Sequence, residues 1–376
     1  MENRIYLDNA ATTKVDDDIL QEVLPYFNIN YGNASGVCKE SRIAKKIIDK
    51  SRCFVADLIN SNEDEIYFTS GGSESDNWAI RGLAEKYPTK KHIITSKIEH
   101  KAILNVCEYM KTKGYDITYL DVDKHGFVSK TELEESIRPD TLLVSIMYAN
   151  NEIGTIQDIQ CLCDISHKKN VFFHTDAVQI LGKIDINVKK LGIDMMSLSA
   201  HKIHGFKGVG ALYINKNISI APLIIGGEQE SGKRAGTYNV AGIYSLGLAC
   251  KKLTENTDER EYIRKMRDYL IDKVLTTIPS AKLTGDSKNR LINNVHFCFK
   301  NINSDAILVL LDKNNISASA GSACMSGSLE KSHVLSALGI SDDYIDGNIR
   351  LTLSKYNTFE QIDIVVDRLS KIINKQ

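Results

Sequence analysis

The sequence has no excess of charge of either sign: 47 Lys and Arg stand against 48 Asp and Glu, a formal net charge of −1. So balanced a surface gives no polyanion-binding signal, which argues against direct nucleic acid binding and for a small-molecule substrate. Long apolar runs are missing as well. No stretch approaches the ~18 residues of a bilayer span, and Met1 to Tyr6 shows no signal-peptide core, so the expected setting is the cytoplasm, away from membranes. The eight cysteines (Cys38, Cys53, Cys107, Cys161, Cys163, Cys250, Cys298 and Cys324) lack the paired spacing of a zinc site or a disulfide framework and read as reduced thiols. There is no internal repeat and no low-complexity tract.

What is present is an ordinary globular composition, 43% hydrophobic and 25% charged, in a chain of 376 residues, long enough to predict two domains. Apolar runs that read as strands (65–69, 92–95, 117–120, 142–147 and 171–175) alternate with helical periodicity over 43–58, 76–87 and 102–113. Such alternation with continuously apolar strands predicts a mostly parallel sheet covered by helices. A long charged helix over about 258–274, a strand over 293–299 and a helix over 361–373 make a second unit beginning near Ala249. The first 13 residues suit an extended arm.

Several polar positions punctuate this pattern. Lys202 stands at a glycine-punctuated turn between two apolar strands, with Ser199 and His201 beside it. A lysine so placed has its pKa lowered by desolvation and becomes a nucleophile. Ser70-Gly71-Gly72-Ser73 joins a strand to a helix, as a phosphate cradle does. Asp176 follows a strand at the sheet's ligand-binding edge, where a carboxylate can hold a ring nitrogen protonated. Cys324 lies among small residues (Ser319 to Ser328) without apolar periodicity, which predicts a mobile loop with an exposed, reactive thiol. Arg350 offers a planar fork for a carboxylate. Taken singly, each has an ordinary explanation: a surface lysine, a capping serine, a turn aspartate, a small buried cysteine, a surface ion pair.

Together they are specific. Gly71-Gly72-Ser73-Glu74-Ser75, His100, Asn151, Asp176 with Gln179, Lys202, Gly236-Thr237, Gly321-Ser322-Ala323-Cys324 and Arg350 occur in this order. The set resembles the cysteine desulfurases of the NifS/IscS type, from Tyr6-Leu7-Asp8-Asn9-Ala10-Ala11-Thr12-Thr13 to Arg350, nearly the whole chain. The resemblance implies the type I pyridoxal-phosphate transferase fold, an α/β architecture with a large domain (14–248) and a smaller α/β domain (249–376) joined by the arm (1–13). It implies pyridoxal 5'-phosphate held through Lys202 as a Schiff base, with Asp176 on the ring nitrogen, His100 stacked on the ring and handling protons, Asn151 and Gln179 on the ring-oxygen side, and Gly72, Ser73, Ser199 and His201 on the phosphate. Thr237 would reach the phosphate of the neighbouring subunit of a homodimer. Arg350, with Asn151, would bind L-cysteine, and Cys324 would take its sulfur as a persulfide, leaving alanine, for delivery to an acceptor protein.

Some positions depart from the family pattern. Ala34, Gly36, Cys38 and Ser41 replace the usual proline, serine, histidine and glycine, which predicts a more flexible loop. Glu228 replaces a usual glycine, and Ser231 stands where many relatives have a basic residue. The chain stops soon after Ile373, whereas the IscS branch carries a longer scaffold-engaging tail, so iron–sulfur cluster assembly and thiolation of cofactors or tRNA both stay open. Two rivals accompany the main reading: a selenocysteine lyase or C–S lyase on the same scaffold, and a cofactor-bound partner subunit that has lost activity.

Overall fold

The computed structural model describes residues 4–255, 258–321 and 331–374. After the short arm strand β1 (Ile5–Tyr6) come β2 (Ile66–Thr69), β3 (His92–Ser96), β4 (Asp116–Leu120), β5 (Thr141–Ser145), β6 (Phe172–Asp176), β7 (Met195–Ser199) and β8 (Gly210–Ile214). These last seven form one sheet in the order β2-β8-β7-β6-β5-β3-β4. Pairing is parallel from β4 through β7, and β8 runs antiparallel to both of its neighbours, so β2 points the same way as the parallel set. Every residue of β5, β7 and β8 is buried, as helices on both faces require of apolar strands.

The helix Lys39–Ile59 follows the expected periodicity, burying Ala44, Ile48, Val55 and Ile59 on one stripe. It packs against the helix Val240–Glu255, which runs unbroken past position 249 and contributes Ala249 and Cys250 to the same core. A second core joins the arm residues Ile5 and Leu7 to Met266, Leu270, Phe297, Leu351 and Leu369. It lies on the strands β9 (Lys282–Leu283), β10 (Asn294–Cys298) and β12 (Asn348–Thr352), which pair antiparallel, while β11 (Ile316–Ser317) pairs parallel with β1. The arm is therefore stitched to the C-terminal part by main-chain pairing as well as by packing. Among the described residues no helix is long and apolar enough to cross a membrane.

The structure differs from the sequence reading at the glycine turn. The helix expected from Asp76 starts at Gly72 and runs to Lys86. Gly71 is its N-cap at φ 147°, and a Cβ on Gly72 would lie 2.6 Å from Val178 Cγ2, so the two glycines let the helix begin hard against the sheet edge. The altered 33–41 loop is closed by its own bonds: Ser35 N donates to Asn33 Oδ1 at 3.0 Å, and Cys38 Sγ meets Ser41 Oγ at 3.1 Å. Glu228 has φ −81°, where glycine is not required.

Candidate active site

The C-terminal ends of five co-directional strands meet at one cavity. Gly72 and Ser73 follow β2, His100 follows β3, Asn151 follows β5, Asp176 ends β6, and Ser199 to Lys202 lead out of β7 through a single 3-10 turn. Arg350 enters from β12 in the other part of the molecule. All of them, with Gln179, line a cavity of about 460 Å³. An open α/β sheet binds ligands at this edge because strand ends present backbone and helix N-termini there.

One wall is built for an anion. The helix Gly72–Lys86 has no side-chain cap, so its first-turn N–H groups and dipole face the cavity beside Ser73, Ser199 and His201. His201 is pushed down to about 4, first by burial and then by the Lys202 and Lys207 charges, so its ring is neutral at neutral pH. His201 Nδ1 lies 3.2 Å from Thr12 Oγ1, and its carbonyl accepts from Thr13 N at 2.9 Å.

Another part of the lining is acidic. Asp176 Oδ1 accepts from Val178 N at 2.9 Å. Burial raises its pKa, and the neighbouring His100, that N–H and Lys202 pull it back. Asp76, on the helix behind, is 1% exposed and is raised by burial and by Asp176; its Oδ1 accepts no hydrogen bond among the described residues and lies 3.8 Å from His174 Nε2. Two adjacent buried carboxyls favour a cation, and a protonated ring nitrogen on Asp176 supplies one. Together with the uncapped helix and the lysine, this pair gives the cavity a chemistry that suits pyridoxal 5'-phosphate, with an anion-binding turn, an acidic partner for a ring nitrogen and an amine.

Lys202 Nζ donates to Ala10 O and to Ala11 O, the latter at 2.7 Å. Gln179 Nε2 donates to the same Ala10 carbonyl at 3.0 Å, so the arm and the lysine share one hydrogen-bond system. His100 caps the helix Lys101–Lys111: its Nδ1 accepts from Ala102 N at 3.1 Å, which leaves the proton of the neutral ring on Nε2. Arg350 is 3% exposed, with Nη1 donating to Asn151 O at 3.0 Å and Nη2 to Asp8 Oδ1 at 2.9 Å.

One expected residue is not in this cavity. Thr237 lines a separate space of about 70 Å³ with Thr69, Ser70, Glu230 and Arg234. Cys324 lies outside the described residues, although Ser319, Gly321, Ser332 and His333 from either side of it line the main cavity. Sequence reasoning missed four other residues. Asp8 partners Arg350, Asp76 backs Asp176, and Glu99 and Glu152 are cavity carboxyls that burial pushes up to about 8 and about 7. The one available signal was the carboxylate next to His100 and the one next to Asn151.

The fold and cavity are those of a pyridoxal-phosphate enzyme, and the Aminotransferase class-V family matches residues 5–365. A cysteine desulfurase IscS of Methanosarcina thermophila is 48% identical over 99% of this chain and 92% of that protein, and a cysteine desulfurase of Nostoc is 45% identical over 99% and 93%. A solved NifS-like protein superimposes with a TM-score of 0.93 at 38% identity, covering 99% of this chain and 100% of the other. A solved complex of SspA with cysteine gives a TM-score of 0.84 at 36% identity, over 94% and 100%. The chain belongs to the class-V aminotransferase family, whose members here depend on pyridoxal phosphate. Within it, the chain is one of the cysteine desulfurases.

Proposed function

We propose that the chain takes sulfur from L-cysteine, releases alanine and holds the sulfur as a persulfide on Cys324 for an acceptor protein. The observation that carries this is the convergence of Lys202, Asp176, the Gly72 helix end and Arg350, from positions 72 to 350 of the chain, on one cavity. When bound, the cofactor supplies an electron sink that stabilises the carbanion left when the substrate loses its α-proton. Arg350 receives the substrate carboxylate in a two-donor fork, with Asn151 alongside. Lys202, carried by the carbonyls of Ala10 and Ala11, takes the α-proton. His100 Nε2 exchanges protons at the substrate sulfur and carbon. The Cys324 thiolate attacks that sulfur, so an S–S bond forms as the C–S bond breaks, and the carbon is protonated to alanine.

The assembly proposed is a homodimer in which Thr237 serves the neighbouring subunit. It is supported by the exposed apolar side chains Phe27 (60% exposed), Tyr31 (72%), Val37 (90%) and Ile225 (90%), and by the position of Thr237 outside its own subunit's main cavity. The division proposed is a large unit, 14–248, and a small one, 249–376 with the arm, with the helix Val240–Glu255 crossing the boundary to place Ala249 and Cys250 in the large unit's core. The test is alanine production from L-cysteine by the purified protein. Alanine with a persulfide on Cys324 supports the reading. Free sulfide with no persulfide favours a C–S lyase.

A further inference from the structure

A buried ion pair outside the cavity is unused by this mechanism. Glu230 is 4% exposed, and its carboxylate accepts from Arg52 Nη2 at 2.7 Å and Nη1 at 2.9 Å. Its Oε2 also accepts from Phe68 N at 2.8 Å, while Arg52 donates to Ile66 O and lies 4.6 Å from the Phe68 ring centroid. The pair thus grips β2 two residues before the turn Ser70–Ser73. In the same segment Glu230 and Ser231 stand at φ 48° and 57°, a left-handed conformation uncommon for non-glycine residues.

Further along the same segment, Arg234 Nε donates to Glu74 Oε1 at 2.8 Å and Nη2 to Glu74 Oε2 at 3.2 Å. Glu74 belongs to the first turn of the helix Gly72–Lys86, and its Oε2 accepts from Ser70 N at 3.0 Å. The strand entering the anion-binding turn, the turn itself and the helix leaving it are therefore all tied to residues 230–234. Three residues later that segment presents Thr237.

We propose that Arg52 and Glu230 are positioning residues that set two cofactor sites at once: the turn Ser70–Ser73 of their own subunit and the reach of Thr237 into the neighbour's. The inference rests on the reading that Thr237 serves the neighbouring subunit. Neither residue touches the cofactor. The pair joins each subunit's own cradle to the group it lends, so a fault in one subunit appears in both sites of the dimer.

The test uses dimers purified through two tags, in which a reporter subunit has intact Lys202 and its partner carries Lys202→Ala. Titration with pyridoxal 5'-phosphate, followed by the visible absorbance of cofactor held on Lys202, reads the reporter's site alone. Glu230→Gln should weaken that site about tenfold, the scale of one misplaced charge-assisted hydrogen bond, whether it is placed in the reporter or in the partner. Arg52→Lys keeps the charge but loses the fork. It should shift the constant in the same direction from either side, and it stands in should Glu230→Gln not fold. An effect from one side only, or a lowered apoprotein melting temperature with an unchanged cofactor constant, overturns the proposal. Thr237→Ala is the control for the underlying reading. If it acts only from within the reporter, shared sites are wrong. If it acts from the partner while Glu230→Gln does not, the sharing stands and the positioning role falls.

Discussion

Replacing Arg350 gives a quantitative test of the substrate clamp. The guanidinium is almost wholly buried, with Asp8 and Asn151 O each taking one terminal nitrogen, and Nε has no partner among the described residues. A substrate carboxylate in the fork gains two charge-assisted hydrogen bonds of about 1.5–3 kcal/mol each, less the part spent on loosening Asp8. The net contribution is about 3 kcal/mol, so Arg350→Ala should lower kcat/KM roughly a hundredfold. Asp8, left without its cation, adds repulsion of the incoming carboxylate. Arg350→Lys keeps the charge but offers no planar fork, and the loss should be about tenfold, mostly in KM. The assay is alanine formation over a range of cysteine concentrations, with visible absorbance checking that Lys202 still holds the cofactor. A KM within about twofold of wild type for Arg350→Lys, with absorbance intact, would refute the clamp.

Lys202→Ala should lose both the visible absorbance and turnover, whereas Cys324→Ala should keep the absorbance and bind cysteine but form almost no alanine and no persulfide. Gly72→Ala places a Cβ 2.6 Å from Val178 Cγ2 and should weaken cofactor retention, and adding Val178→Ala should restore most of it, as cofactor titration can show. Burial of titratable groups should make the apoprotein's stability depend on pH. Glu99 and Glu152, raised to about 8 and about 7, contribute stability that is lost as pH rises through those values, while His174 and His296, lowered to about 3 by burial, contribute stability that is lost as pH falls from 6.5. Thermal melts across pH check this, and Glu99→Gln should flatten the alkaline fall.

The groups proposed to touch the cofactor were legible because apolar runs show where strands stop. Asp176, the Gly72 turn and Lys202 each follow such a run directly, and a strand's C-terminal end in an open α/β sheet is where a ligand sits. What the runs could not show is what holds those groups in place. Asp8 reaches Arg350 across 342 positions of chain, and Glu230 reaches Arg52 across 178. The acceptors for Lys202 are the carbonyls of Ala10 and Ala11, and a backbone oxygen leaves no mark in the sequence. Nothing in residue type marks Asp76 and Glu99 as buried, since burial of a charge is a property of packing. The early helix start at Gly72 was hidden for a related reason. Two glycines normally argue against a helix, and only the close approach of Val178 shows why glycine is needed there. Long-range partners are set by how the arm, the sheet and the C-terminal strands dock. Residue types at strand ends therefore identify the chemistry, while the ion pairs and carbonyls that aim it appear only once the chain is folded.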